Sequence, residues 1–174
     1  MQYFELAFSL ANVTKLEEGK LPIRVLESML GSIAKGNAIV PAKVGVDVGV
    51  TRTRGKYLIS SSDPITGTDK RMGWHAVHVS ANDVATSGIM PDCLSIVAMF
   101  PPKTKIEGIM SVVSEISRTA EELGITVSGG HTEITPSLVK PIVVVTCFGS
   151  GDRFVTSAFA KAGDSILMTK TAGI

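Results

Sequence analysis

The sequence lacks the features that mark a nucleic-acid binder, a secreted protein or a membrane protein. Its 17 basic and 16 acidic residues leave a formal net charge of +1 and are mixed along the chain, so no basic stripe for nucleic acid is present. The N-terminal segment MQYFELAFSLANV has no basic region and no cleavage-site pattern, and no apolar run approaches the roughly 18 residues of a membrane helix. These absences predict a cytoplasmic protein without nucleic-acid or membrane partners.

Cysteine is scarce, and the common phosphate-binding loops are missing. The two cysteines, Cys93 and Cys147, each lie in an apolar, strand-like run, where a free cysteine usually serves as a small buried hydrophobe. The chain contains neither a Walker A loop nor the glycine fingerprint of a dinucleotide-binding turn. Any phosphate site in this protein is therefore of another type.

What the sequence does contain is a pattern of interleaved helices and strands. A length of 174 residues with 44% hydrophobic content suffices for one compact domain and is short for two. Apolar periodicity predicts helices over 21–33, from Trp74 to Gly88, and over 106–123 with Gly124 at its end. Strands are predicted at 44–50, 56–62, 93–100, 125–128, 142–148 and 165–170. This order predicts an α/β or α+β layer sandwich.

Four acidic residues differ from the solvated acids of the helices because each has glycine or small neighbours. Asp47 lies in a predicted strand, Asp63 at a strand end before Pro64, Asp83 in a helix of small residues, and Glu133 in a predicted turn that starts at Gly129. Mg²⁺ prefers a few carboxylates and completes its shell with water and substrate phosphates, so the pattern indicates a nucleotide site. Taken singly, each acid also fits a cap, a turn or a surface charge, and spacing alone does not prove that they converge.

Four segments, in order, resemble the aminoimidazole ribonucleotide (AIR) synthetase superfamily. GVDVGV at 45–50 resembles that family's G-D-D-A-A-V strand, and SDPITG at 62–67 resembles its T-D-P segment. VSANDVA at 79–85, continuing to Gly88 and Pro91, resembles the family's N-D-hydrophobic-A-x-x-G-x-x-P helix, and GGHTE at 129–133 resembles its G-G-[DE]-T turn. The resemblance runs from about Gly19 to the last residue.

The resemblance implies ATP and Mg²⁺ as cofactors and assigns roles by position. Asp47, Asp63 and Asp83 take the place of metal ligands, and Asn82 is placed to orient Asp83 or a phosphate. The residues implied in catalysis are Asp83, Asn82 and His131; those implied in nucleotide binding are Asp47, Asp63, Gly129, Gly130, Thr132 and Glu133.

The resemblance also implies a fold and an assembly. We expect residues 1–174 to form the N-terminal ATP-binding domain, with a mixed sheet of roughly four to six strands covered by helices. Strands of two copies would pair into a shared barrel, which makes a homodimer the expected state. The C-terminal domain that usually follows in the family is expected to be absent, so that a separate chain is one possible source of it.

Two positions depart from the family pattern. Val46 stands where the first of the paired aspartates usually lies, which removes one possible metal ligand. His131 replaces the usual acid of the G-G-[DE]-T segment, and its His-Thr-Glu order favours the hydrogenase-maturation branch of the family.

His75 and His78 are three residues apart on a predicted helix and invite comparison with a zinc pair. Because the sequence offers no clear third ligand at the usual spacing, we expect partly buried, hydrogen-bonded imidazoles instead.

The sequence is compatible with three functions. The first is an ATP-dependent enzyme that phosphorylates an amide- or carbamoyl-type oxygen and releases ADP. The second is a nucleotide-binding or dimerisation module without turnover, and the third is a domain whose site has decayed and which serves only as a partner surface.

Overall fold

The computed structural model describes residues 16–66, 68 and 70–168. Over these residues the chain forms three α-helices, five strands and a short 3₁₀ turn at Ser157–Phe159. The elements in chain order are α1 (Ile23–Ser32), β1 (Gly49–Thr53), β2 (Lys56–Ile65), α2 (Met72–Thr86), β3 (Cys93–Phe100), α3 (Ile106–Leu123), β4 (Thr126–Ile134) and β5 (Ile142–Gly151). Within this part of the chain, no helix is both long and apolar enough to cross a membrane.

The five strands form one mixed sheet in the order β1-β2-β5-β3-β4. Neighbouring strands pair antiparallel, except that β3 and β4 run parallel and are joined by the crossover helix α3. The mixed α+β class predicted from the sequence is therefore confirmed, and the strand count falls within the expected range. Pairing of strands across a dimer stays a prediction.

The core lies between one face of the sheet and helices α2 and α3. Alternate residues of β2, β3 and β5 point towards the helices, as the two-residue period of a strand requires. The buried set from the sheet and the two helices includes Ile59, Leu94, Ala98, Phe100, Val143, Val145, Ala76, Val77, Val84, Ile116 and Ala120. Cys147 is buried in the same cluster, which confirms its predicted role as a small hydrophobe.

Helix α2 is held in place by two contacts. The hydroxyl of Ser80, which is fully buried, donates to the backbone carbonyl of Val145 at 2.9 Å and ties the helix to β5. At the start of the helix, the backbone N–H of Gly73 donates to Oε2 of Glu115 at 3.0 Å, which joins α2 to α3. A side chain bonded to an early helical N–H also replaces a missing intrahelical partner. These contacts fix the helix that carries Asp83.

The predicted strand over 44–50 is mostly wrong, because only Gly49 and Val50 belong to β1. Val44 and Gly45 form a turn, and Gly45 has φ of +78°, a left-handed conformation that an extended strand does not allow. Asp47 consequently lies in an irregular, exposed segment and not in a strand.

Two predicted turns are strand. The Asp63-Pro64 turn is wrong, since β2 continues to Ile65. Proline is tolerated there because β1 pairs with β2 only as far as Ser60, so that Pro64, which lacks an N–H, has no β1 neighbour. The prediction of a turn at 129–133 is wrong as well. These residues belong to β4, which pairs parallel with β3 with one shift of register.

The ends of the described chain also differ from the sequence prediction. In the predicted strand at 165–170, residues 165–168 are irregular and exposed, and 169–170 lie outside the described residues. Helix α1 is confirmed, but none of its residues is buried. Helices α2 and α3 are confirmed, and Gly124 caps α3 with φ of +69°.

Candidate functional site

Asp63 and Asp83 meet at one serine hydroxyl. Ser61 and Asp63 are two residues apart on β2 and therefore share the face that is turned towards the helices. The Oγ atom of Ser61 lies 3.1 Å from Oδ2 of Asp63 and 2.9 Å from Oδ2 of Asp83. Strand β2 and helix α2 thus bring together two acids that are 20 positions apart in the sequence.

The electrostatics of this pair favour a cation. The pKa of Asp83 is raised above its usual value, mainly because partial burial disfavours the charged form and further because of the nearby carboxylates of Asp63 and Asp47; the hydrogen bond from Ser61 opposes the shift. The salt bridges among the described residues join Arg118 to Glu122 and His131 to Glu133. No basic side chain in this part of the chain is therefore paired with the two acids.

Asp47 approaches the pair but does not join it. Its charge is the smallest of the named causes that raise the pKa of Asp83, and its side chain is exposed and makes no hydrogen bond to Asp63 or Asp83 within the described segments. Across residues 16–66, 68 and 70–168, no group of three or more His, Cys, Asp or Glu side chains is close enough to hold a metal ion.

The acid pair nevertheless fits magnesium. Mg²⁺ is usually bound in proteins by one or two carboxylates, while waters and substrate phosphates occupy its other positions. Asp63 and Asp83 supply such a pair on the rigid framework of β2 and α2, with no competing cation from the described chain. This mode of binding does not require the protein to supply every ligand. It is therefore compatible with the absence of a third close ligand among the described residues.

The glycine-rich segment of β4 lies elsewhere on the sheet. Strand register places Asp63 opposite Val145, Val145 opposite Ile96, and Ile96 opposite Gly130. Three strand spacings of roughly 4.8 Å put Gly130 about 14 Å from Asp63 along the sheet. The structure therefore brings the predicted metal ligands Asp63 and Asp83 together but separates them from the segment at 129–133.

That segment forms an exposed edge. All residues of β4 are exposed, including Gly129 and Thr132, and on this edge Nε2 of His131 lies 3.0 Å from Oε2 of Glu133. Gly130 has a steric reason to be glycine, since a Cβ atom there would clash with the backbone carbonyl oxygen of Ile96. A groove of about 400 Å³ runs between this edge and α3, with Ile96, Val113 and Val127 among its apolar lining residues.

The remaining predicted residues have simpler surroundings. Asn82 is exposed beside Asp83 on α2, and its side chain makes no hydrogen bond with described residues. His75 and His78 are half-buried, as expected, but both rings pack on Trp74, at centroid distances of 5.0 and 4.2 Å, and neither ring makes a hydrogen bond to the described chain. The site residue that the sequence interpretation missed is Ser61. Its signal was a hydroxyl two positions before Asp63, hence on the same strand face.

The family model described as AIR synthase related protein, N-terminal domain, matches residues 45–150. The chain belongs to this family. The match covers the acid pair and the glycine-rich edge, and it confirms the resemblance inferred from the four sequence segments. The acids that the sequence singled out in this AIR synthase related domain all lie within the residues that the family model matches.

Relatives of the domain are about twice as long as the chain. Selenide, water dikinase of Methanococcus maripaludis is 27% identical over 162 residues, which cover 88% of this chain and 48% of that protein. A protein of Methanocaldococcus jannaschii named for hydrogenase expression and formation, MJ0676, is 25% identical over 104 residues, which cover 59% of this chain and 31% of the relative. The chain spans about half or less of the length of the curated relatives it matches.

Solved structures share the fold. The protein tt0281 from Thermus thermophilus has a TM-score of 0.64 at 18% identity, over 81% of this chain and 47% of the other. AaThiL complexed with AMPPCP and TMP has a TM-score of 0.57 at 22% identity, over 64% of this chain and 38% of AaThiL. The hydrogenase maturation protein HypE in complex with ATP has a TM-score of 0.51 at 22% identity, over 84% of this chain and 39% of HypE. The fold is therefore one on which ATP and an ATP analogue have been observed.

Proposed function

We propose that this chain is the ATP-binding domain of a phosphotransfer enzyme, with Asp63 and Asp83 as its magnesium ligands. The observation that carries the proposal is the carboxylate pair joined through Ser61, which has no basic partner among the described residues. Support for the nucleotide comes from the shared fold, which holds AMPPCP in AaThiL and ATP in HypE.

The proposed residues act mainly by positioning. When bound, Mg²⁺ neutralises charge on the phosphates and so assists attack at the γ-phosphorus. Asp63 and Asp83 hold the cation at a fixed point between β2 and α2, and Asp47 provides a further negative charge from its exposed segment. Asn82 is proposed to orient Asp83 or a phosphate. Transfer of the γ-phosphoryl group to an acceptor oxygen releases ADP.

The proposed acceptor is an amide- or carbamoyl-type oxygen. This class is what the resemblance to the hydrogenase-maturation branch implies, and the hydrogenase formation relative and the fold of HypE agree with that branch. The longer match is to selenide, water dikinase, whose name gives selenide as the competing acceptor. Measuring ATP consumption together with the release of ADP, AMP and phosphate, with a carbamoylated peptide, with selenide and with no acceptor, separates the two, because only the true acceptor raises the rate above the acceptor-free background.

The glycine-rich edge is proposed as a second part of the nucleotide site. Gly129, Gly130, Thr132 and Glu133 offer an exposed backbone, and His131 is held by Glu133. The distance of about 14 Å from Asp63 suits a ligand that spans both places, or contact with the nucleotide of a second copy. Assignment of His131 to catalysis remains part of this proposal.

We also propose a homodimer. Helices α2 and α3 pack on one face of the sheet, and several apolar side chains of the other face are only half-buried, including Leu58, Val97, Val144 and Phe148. Burial of such a face against a second copy is favourable because it removes apolar area from water. The second domain of the longer relatives is proposed to come from a separate chain or from another part of the protein.

Titration calorimetry with ATP, with and without Mg²⁺, tests the proposed function. We expect magnesium-dependent binding that Asp83→Asn abolishes, because the substitution removes one anionic ligand. Asp152→Asn is the matched control, since Asp152 is an exposed aspartate outside the site and should leave the affinity unchanged. Equal affinity of the Asp83→Asn variant and the original chain would remove Asp83 from the scheme.

One observation favours a second candidate, a nucleotide-binding module without turnover. Val46 supplies no carboxylate, and only two of the three predicted ligands are in contact through Ser61. Binding of Mg-ATP by a dimer, combined with no release of ADP above an enzyme-free control, would support this candidate over the enzyme.

A further inference from the structure

Asp47 lies in a loop whose position strand pairing does not fix. The loop, residues 41–48, leads directly into β1, and β1 pairs with β2 only from Gly49 onwards. Because the two strands are antiparallel and Gly49 lies opposite Ser60, the end of the loop runs past the part of β2 that carries Asp63. Another contact has to determine how Asp47 is held there.

One side-chain hydrogen bond ties this loop to a distant part of the described chain. The Oγ atom of Ser157 donates to the backbone carbonyl of Gly45 at 2.9 Å. The other hydrogen bond of the loop among the described residues is local, from the backbone N–H of Val46 at 3.2 Å. Val48 is buried in the core. Asp47 therefore lies between a packed side chain and a turn that Ser157 holds.

The segment that carries this hydroxyl is anchored on both elements of the acid pair. We call residues 154–159 the strap. The backbone N–H of Val155 donates to the carbonyl of Ser87 at 2.9 Å, at the C-terminal end of α2. The ring of Phe154 packs edge-on against Tyr57 of β2, with the two centroids 4.8 Å apart. The strap thus joins the loop to the helix and the strand that hold the two acids.

The strap is also ordered within itself. The Oγ1 atom of Thr156 accepts a hydrogen bond of 3.2 Å from the backbone N–H of Ala158, which caps the short 3₁₀ turn. The rings of Phe154 and Phe159 lie 5.8 Å apart across that turn. The hydroxyl of Ser157 is consequently presented to the loop from a fixed turn.

We propose that the strap positions Asp47 beside the acid pair, and that Ser157 is the residue through which it acts. This inference rests on the proposed function, because it assigns Asp47 to the same cation as Asp63 and Asp83. Ser157 is a positioning residue: it contacts the carbonyl of Gly45 and not the cation. The strap lies beyond residues 45–150, so the family match does not include it.

Electrostatic repulsion explains why such a contact is needed. Asp47 is an exposed acid close to two other acids, and like charges repel each other when no cation is bound. Without the hydrogen bond from Ser157, the turn at Gly45 is free to move and Asp47 turns towards solvent. The cation then has to bring the carboxylate back, which lowers its affinity.

The test is a double-mutant cycle between Ser157→Ala and Asp47→Asn, with Ser157→Thr as the conservative variant. Ser32→Ala is the matched control, because Ser32 is also exposed and also donates to a backbone carbonyl, that of Met29, at 2.7 Å. Binding of Mn²⁺ is measured by electron paramagnetic resonance. Thermal unfolding in EDTA verifies that each variant is folded.

We expect Ser157→Ala to weaken Mn²⁺ binding by roughly 2- to 10-fold, which corresponds to the net contribution of one hydrogen bond. Ser157→Thr and Ser32→Ala should bind as the original chain does. In the Asp47→Asn background, Ser157→Ala should have no further effect. Unchanged affinity in Ser157→Ala, or an equal loss with and without the Asp47 carboxylate, overturns the inference and leaves the proposed function intact.

Hydrogen exchange tests the structural part of the inference without a metal. The backbone N–H of Val46 should exchange faster in Ser157→Ala than in the original chain and in Ser32→Ala, because the turn at Gly45 is released. Equal exchange overturns the inference. Absence of Mn²⁺ and nucleotide binding by the original chain overturns the proposed function itself.

Discussion

The contact between helices α2 and α3 at Gly73 allows a stability prediction with an unusual sign. Replacing glycine by alanine in a helix normally stabilises it, by up to about 1 kcal/mol. Gly73, in the first turn of α2, faces the backbone of α3: a Cβ atom at this position would lie 2.5 Å from the carbonyl oxygen of Val112 and 2.9 Å from the backbone nitrogen of Ile116. Because these are backbone atoms, no side-chain rotation relieves the clash.

The expected magnitude follows from the two opposing effects. Forcing a methyl group into a packed contact costs typically about 1–3 kcal/mol, which exceeds the gain in helix propensity. The helices must also separate, which stretches the hydrogen bond of 3.0 Å from Gly73 to Glu115. We expect a net loss of roughly 1–2 kcal/mol for Gly73→Ala, and hence a fall in Tm of roughly 2–8 °C for a domain of this size.

The assay is thermal unfolding followed by circular dichroism, with Gly108→Ala as the control. Gly108 lies in the first turn of α3, and no described atom lies within 4 Å of the position that a Cβ would occupy there, so alanine should raise Tm by roughly 1–4 °C through propensity alone. Opposite signs for the two variants support the close approach of the helices. A Tm for Gly73→Ala equal to or above that of the original chain would refute it.

Three further predictions concern the titration of Asp83, the reactivity of the two cysteines and the backbone contact of Gly130. In EDTA, Asp83→Asn should raise Tm at pH 7 and leave Tm unchanged below pH 3.8, the usual pKa of an aspartate. The pKa of Asp83 is raised in the folded protein, so folding stability is lost as the pH rises from 3.8 through that raised pKa. A gain in Tm that persists in acid would contradict this. Ellman's reagent at pH 8 should react with Cys93 alone in the native protein and with both thiols in denaturant, since burial raises the pKa of Cys147 to about 11. Reaction of two thiols per native chain would disprove this. Gly130→Ala should increase hydrogen exchange in β4, because the added Cβ meets the carbonyl oxygen of Ile96, and unchanged exchange would argue against that contact.

Elements with strong local signals were predictable from the sequence. Helix α3 has a long apolar period and ends at Gly124, and β3 is a continuous apolar run that stops at a pair of prolines, so that their positions follow from local chemistry alone. The segment at 44–50 has the alternation of a strand but lacks a pairing partner for most of its length. Partners are set by the tertiary fold, which a local pattern does not contain.

The same limit applies to the site. The sequence identified Asp63 and Asp83 as candidates but did not show that they meet, because their contact depends on α2 packing over β2. Ser61 was missed for the same reason, since its position two residues before Asp63 gains meaning only when that strand face is known to meet α2. The glycines of the segment at 129–133 favour a turn when considered locally, whereas parallel pairing with β3 keeps the segment extended.

The acid pair is a place where the fold gives up stability. Two carboxylates share a partly buried position with one hydroxyl between them, and the raised pKa of Asp83 shows that the charged form is disfavoured there. A sequence selected for stability alone would place a basic or neutral side chain beside Asp83. Local conflicts of this kind are expected at functional sites, where a ligand resolves them. Under the proposed function, a divalent cation would offset the repulsion between Asp63 and Asp83, so the arrangement that weakens the free domain would be relieved when Mg-ATP binds.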